Sequence, residues 1–228
     1  MTRIIITRRT MQRAATKTLF NYWNELRGSR SAPERKNVDP TKIRHALSNT
    51  FILEANDIQE FSFRLAGSHL CSTYCRELKG RDFEALWNPR DRDALKTLIK
   101  AVTEDHAVAL ITFEGVSQSA NKMNFETILL PLRHNGSSTN RILGAMTAAD
   151  EPYWFGAQPI IDQRITGLRL IWPDDLATKS TFLDISSELS DDLLDISRQS
   201  PLVPVSSDVH GIKARRYSHL SVIDGGRN

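Results

Sequence analysis

The chain has 228 residues, 40% of them apolar, with 30 Lys and Arg against 27 Asp and Glu and a formal net charge of +3. That length suits one domain with extensions, and the apolar content is enough for a real core. A charge so near balance excludes a protein that wraps nucleic acid over a broad basic face, and no run of about 18 apolar residues predicts a membrane-spanning helix. The opening stretch, Ile4 to Ile6 followed at once by Arg8 and Arg9, is too short for a secretory apolar region. The two cysteines, Cys71 and Cys75, sit four apart. On one helix that spacing suits an intrachain disulfide poorly, so a reducing cytoplasm is expected.

Along the chain, Arg13–Leu26 reads as an amphipathic helix. Ala15, Leu19, Tyr22, Trp23 and Leu26 form its apolar stripe, and Gly28 ends it. A charged connector follows to Pro40. Asp39-Pro40 then marks a helix start, Asp at the cap and Pro in the first turn. Thr50–Glu54 supplies a strand, Asn56-Asp57 a turn, and Phe61–Ala66 a second strand in which Phe61, Phe63 and Leu65 alternate with polar residues. Strands so close in sequence pair antiparallel. Gly67-Ser68 breaks into a short helix carrying His69, Cys71 and Cys75. A longer helix at Arg90–Glu104 has Leu95, Leu98, Ile99 and Val102 on one stripe, with Asp91 and Asp93 at its start, where carboxylates favour the helix dipole.

Three strands come next, Val108–Gly115, Asn124–Leu132 and Ile142–Ala148, the last two joined across Asn135-Gly136, a strong hairpin signal. Helices grouped between two sets of antiparallel strands predict an α+β domain: a five-stranded antiparallel sheet with helices on one face, an N-terminal helix, and a C-terminal extension. Ile165–Trp172 is one more apolar segment, a sixth strand or an addition to the sheet edge. Three regions are expected: 1–40, helix and connector; 41–172, the domain; 173–228, an extension. The extension runs from an acidic, helically spaced segment, Phe182–Ile196, through a Pro- and Ser-containing linker to a basic tail with Lys213, Arg215, Arg216 and Arg227. Tyr217–Ile223 alternates weakly and could add a strand to an open edge.

Chemistry-bearing motifs are sparse. The chain has no GxSxG elbow, phosphate loop, HExxH or GxGxxG, so a non-enzymatic protein is expected. His69, Cys71 and Cys75 lack the second ligand pair of a zinc site, and His45, His106 and His134 are scattered. No metal site is assigned. An exposed or capping His69 with two buried thiols is the expectation.

One tract, Phe61–Trp87 (FSFRLAGSHLCSTYCRELKGRDFEALW), resembles the early part of a PAS domain. It is most similar to the stand-alone bacterial proteins of the fifth PAS family. Further matching pieces are Trp23-Asn24-Glu25-Leu26-Arg27-Gly28, Asp39-Pro40, Phe63-Arg64-Leu65-Ala66-Gly67, Arg76-Glu77-Leu78-Lys79-Gly80-Arg81-Asp82-Phe83 and the tail Asp224-Gly225-Gly226-Arg227. The resemblance covers about residues 15–170. It implies a sensory protein that works by binding a signalling partner such as a sensor kinase. It also implies an apolar pocket between sheet and helices, for which Phe63, Leu70, Tyr74, Phe83, Leu98, Val102, Phe125 and Ile128 are the lining candidates; the same residues would equally serve as plain core. The flavin-binding branch carries an Asn-Cys-Arg-Phe-Leu pattern, and Cys75-Arg76-Glu77-Leu78 does not match it. Any cofactor is therefore unknown; a small-molecule or heme sensor is the alternative, and a nucleic-acid or membrane-surface binder using the basic tail a further one. Leu19, Tyr22, Trp23 and Leu26 are the interface candidates, as a homodimer contact or, equally, as a stripe packed on the sheet's open face.

Overall fold

The computed structural model describes residues 11–172, apart from 57, 59 and 135–137, together with two short strands at 216–217 and 220–221. By its internal contacts the chain divides into Met1–Pro173 and Asp174–Asn228. In the first unit, α1 (Ala14–Arg27) is followed by a 3-10 helix at Pro40–Asn49 and by β1 (Thr50–Ala55) and β2 (Phe61–Ala66). Next come α2 (Ser68–Thr73), a 3-10 turn at Glu84–Leu86 and α3 (Arg92–Glu104). The unit closes with β3 (Val108–Ser117), β4 (Lys122–His134), β5 (Ser138–Ala148) and β6 (Ile160–Ile171). The expected punctuation holds. Gly28 caps α1 with φ +57°, a value an L side chain resists. Asp39 Oδ1 accepts from Thr41 N at 2.9 Å over Pro40.

All six strands form one antiparallel sheet in the order β2-β1-β5-β4-β3-β6. The expected five-stranded sheet therefore gains a strand. β6 begins at Ile160 and pairs along β3 to Ile171, so the apolar segment at 165–172 is the second half of a full edge strand. Its first half reads Ile160, Ile161, Asp162, Gln163 and Arg164, a pattern too polar to announce a strand. The second unit contributes β7 (Arg216–Tyr217) and β8 (Leu220–Ser221), which pair with each other and form a separate two-stranded sheet. The acidic segment Phe182–Ile196, the linker and the Asn135-Gly136 turn lie outside the described residues.

Residues directly opposite across an antiparallel ladder share a face, so the registers sort the side chains. One face carries the rows Phe63–Leu53–Ile142, Phe51–Gly144–Leu129–Ala109 and Phe125–Phe113–Ile165, and it packs against Leu70 of α2, Phe83, and Leu95, Leu98 and Val102 of α3. The other carries Leu65–Ile52–Leu143–Leu130 and Leu110–Ile128–Ala145. Phe51 explains one glycine. A Cβ on Gly144 would collide with the Phe51 ring and approach the Ile128 carbonyl oxygen at 2.8 Å. A register shift in the β1–β2 ladder between Ile52 and Leu53 leaves Arg64 as an extra residue. It moves Leu65 to the second face, where it is 45% exposed rather than in the core its alternation suggested.

Candidate functional site

The face under α2 and α3 is crossed by a continuous line of aromatic rings. Phe51 and Phe63 lie 5.6 Å apart, Phe63 and Phe83 5.6 Å, Phe83 and Trp87 5.9 Å, Trp87 and Phe113 4.9 Å, and Phe113 and Phe125 4.9 Å. Most of these contacts are edge-to-face, the arrangement that aromatic quadrupoles favour. Seven of the eight pocket candidates, Phe63, Leu70, Tyr74, Phe83, Leu98, Val102 and Phe125, meet in this cluster. Ile128 does not. It is fully buried, but on the opposite face, because its ladder partners Leu110 and Ala145 point there. Period-2 alternation along β4 puts Phe125 and Ile128 on different faces.

The same apolar cluster holds a small polar node. Tyr74, one residue past α2, donates its hydroxyl to Gln163 Oε1 at 2.8 Å, with Met146 Sδ at 3.5 Å. Burial pushes the Tyr74 phenol well above its ordinary range, so it is a neutral donor. Gln163 is fully buried and stands opposite Gly115 on β3. Its Nε2 reaches no acceptor, and neither does the indole Nε1 of the buried Trp87. The residue after Trp87 is held to the strand of Gln163: Asn88 N donates to Gln163 O at 3.0 Å. Neither Trp87 nor Gln163 stood out in the sequence, Trp87 because an aromatic there suits any core, Gln163 because the expected sixth strand began only at Ile165.

On the second face lies α1. Glu126, 4% exposed, accepts from Gln12 N at 3.0 Å, Arg13 N at 3.2 Å and Thr16 Oγ1 at 2.5 Å, which fixes the start of the helix. Further along, Trp23 Nε1 donates to Pro131 O at 2.8 Å, and the Tyr22 hydroxyl accepts from Asp39 N at 2.6 Å. Leu19, Tyr22 and Trp23 are buried within the chain itself and Leu26 is half-buried. Within the chain, the stripe packs on the second face of the sheet. The reason is the apolar second face, which needs a cover.

The remaining candidates are dispersed. His69 is exposed and sits 3.9 Å from Glu151, Cys71 is half-buried and Cys75 exposed. The expected burial of both thiols is thus corrected: α2 stops at Thr73, and Cys75 falls in the left-handed turn after it, with φ +48°. Among the described residues no three His, Cys, Asp or Glu side chains gather as metal ligands do. Asp91 stands at the start of α3, as expected, but its buried carboxylate accepts from Ile165 N at 2.9 Å and so ties α3 to β6. Among the described residues no helix is long and apolar enough to cross a membrane.

Comparison with known proteins gives a family. Residues 11–147 match the PAS_5 family model, described as a PAS domain. No curated protein matches. Among solved structures, the chain is similar to the light-state LOV domain of the blue-light photoreceptor Aureochrome1, at 16% identity over 49% of this chain and 88% of that one, TM-score 0.38. It is also similar to a Rhodobacter sphaeroides LOV protein, at 9% identity over 46% and 60%, TM-score 0.38. A PAS domain from Colwellia psychrerythraea is similar at 14% identity over 48% and 97%, TM-score 0.37. With the family match spanning more than half of its length, over the sheet and helices just described, the chain belongs to the PAS domain family of sensory and signalling modules.

Proposed function

We propose that this chain is a non-enzymatic regulatory module that acts in bacterial signalling by binding a partner protein such as a sensor kinase. The observation that carries the reading is how α1 is held. One buried carboxylate, Glu126, gathers the start of the helix, and one indole, Trp23, anchors its later turns to Pro131 O. Arg13 Nη1 adds a bond to Ala149 O, just past β5, at 3.0 Å, and the buried Leu19 and Trp23 supply apolar contact. An element fastened this way has two states, docked and released, and a partner that binds the released state shifts the balance toward it. Release offers two complementary apolar surfaces at once: the stripe of Leu19, Tyr22 and Trp23, and the sheet face around Leu110, Ile128 and Leu143.

The non-enzymatic part is supported by the work the inner carboxylates do. Glu126 holds α1, Asp91 holds β6, and Glu54 accepts both Nε and Nη2 of Arg141, at 3.2 and 2.6 Å. The free thiols Cys71 and Cys75 support a cytoplasmic setting. The experiment pairs hydrogen exchange with crosslinked affinity capture from a bacterial lysate, on the wild type and on Glu126→Ala. Faster exchange in α1 and increased capture of an identified signalling protein by the variant are expected. Unchanged exchange in α1, or no signalling protein captured by either form, would overturn the reading.

A further inference from the structure

Arg27, the last residue of α1, is a buried charge without a counter-charge. It is only 7% exposed, and its guanidinium lies over the Trp23 ring, 5.6 Å from the centroid. Nε donates to Asn24 Oδ1 at 2.8 Å and Nη1 to Arg30 O at 2.9 Å, both neutral acceptors. Nη2 meets no acceptor among the described residues and still reaches solvent. Burial pushes the group below its ordinary value, with no carboxylate to oppose it. A second arginine returns the contact: Arg30 Nε donates to Arg27 O at 3.1 Å and Nη2 to Leu26 O at 2.9 Å. The end of a helix carries about half a negative charge, which offsets only about a quarter of two guanidinium charges. Glu25 projects about 200° away around the helix, and Glu34 is taken by Arg133, at 3.7 Å. Among the described residues no carboxylate pairs with Arg27, Arg30, Arg35 or Lys36. We propose that Arg27 and Arg30, clasped at the C-terminal end of α1, bind a phosphate monoester group.

The charge and the donors select that class. Two adjacent guanidinium groups suit a dianion better than a single carboxylate, and a phosphate monoester carries nearly two negative charges at neutral pH. Its three acceptor oxygens match the open Nη2 of Arg27 and the remaining N–H groups of Arg30. Arg35 and Lys36 add positive charge nearby: they belong to the 3-10 turn Arg35–Asn37, whose Asn37 O lies 3.5 Å from the Tyr22 hydroxyl of α1. The buried guanidinium is held in place before any ligand arrives. Trp23 fixes its plane, and the Trp23 ring is itself fixed because Nε1 donates to Pro131 O at 2.8 Å. A fork so fixed loses little freedom on binding. The phosphate can be that of a small soluble molecule or of a lipid headgroup, and the test separates the two. The site lies at the other end of α1 from Glu126, whose bonds reach residues 12, 13 and 16. It needs no partner protein, so it stands or falls separately from the signalling role.

The test is a proton–nitrogen NMR titration of the full chain at fixed ionic strength with phenyl phosphate and phosphoserine, acetate serving as control. The Arg27 Nε–H signal, assigned by its loss in Arg27→Lys, is the reporter. In parallel, binding is measured to phosphatidylcholine vesicles with and without phosphatidic acid. A saturable shift of the Arg27 signal with a soluble phosphate, absent with acetate, identifies a free ligand. Binding only to vesicles that contain phosphatidic acid identifies a lipid headgroup. In either case Arg27→Lys, which keeps the charge and loses the fork, should weaken binding about tenfold, and Arg30→Ala about fivefold. Arg30 is exposed, so Arg30→Ala decides alone should Arg27→Lys fail to fold. No binding to soluble phosphates or to phosphatidic acid, an equal response to acetate, or affinities unchanged by the substitutions would each overturn the proposal.

Discussion

Glu126 is a carboxylate on the sheet face where the strand pattern asks for an apolar side chain, and the start of α1 explains it. Three donors converge on its two oxygens, so truncation strands all three. Glu126→Ala is expected to lower unfolding stability by about 2 kcal/mol in a urea titration, with Glu126→Gln, which keeps one acceptor oxygen, falling between. Gly144→Ala should cost a similar ~2 kcal/mol, because the added methyl meets the Phe51 ring and a backbone carbonyl that cannot move aside. Glu84 makes a prediction about pH. Burial pushes its carboxyl above the usual range; Lys96, 3.7 Å away, pulls it down, and Asp82 and Glu60 push it up. A carboxyl whose folded value is raised favours the protonated form in the fold. Its stabilising contribution is complete below the ordinary carboxylate range and is lost as pH rises through the raised value. Glu84→Gln should therefore be more stable than wild type near pH 7, with the gap closing as pH falls to about 4. A gap that widens on acidification would reverse the assignment.

At the scale of elements, the sheet has a helix layer on each face, and each layer is latched by a carboxylate. Glu126 fixes α1, and Asp91 links the start of α3 to Ile165 of β6. β6 is an edge strand, so its outer backbone depends on such contacts; Asn88 N to Gln163 O is another. Asp91→Ala should raise hydrogen exchange in β6 and in the first turn of α3 while leaving β1 and β5 protected. Exchange that rises equally everywhere would mean global loss of stability instead. The elements themselves were legible where a local signal marks them. Gly28 ends α1, Asp39 and Pro40 start the 3-10 helix at Pro40–Asn49, and the stripe Leu95, Leu98, Ile99 and Val102 is the buried side of α3. Leu65 and Cys75 were misread because a register shift and a left-handed turn decide their exposure, and neither leaves a mark in residue type.

For the whole molecule, the division at Pro173 predicts that a chain ending there keeps the thermal transition of the full protein. A lower transition in a calorimetric scan would show that residues 174–228 support the sheet. The sequence by itself determined the α+β class, the chain order of the first five strands and the antiparallel pairing of the first two, because period-2 and period-3.6 patterning and turn residues act over a few neighbours; its motifs carried the resemblance to the family. Seven of the eight pocket candidates fall in the inner cluster. The sequence did not determine the polar first half of the sixth strand, Ile160 to Arg164, which pairing with β3 decides. It could not choose between a dimer contact and a packed α1 stripe, nor bring Asn88 against Gln163, since those residues are 75 positions apart. Such contacts cost chain entropy to close and are rewarded only when both partners are already placed, so only the tertiary structure decides them.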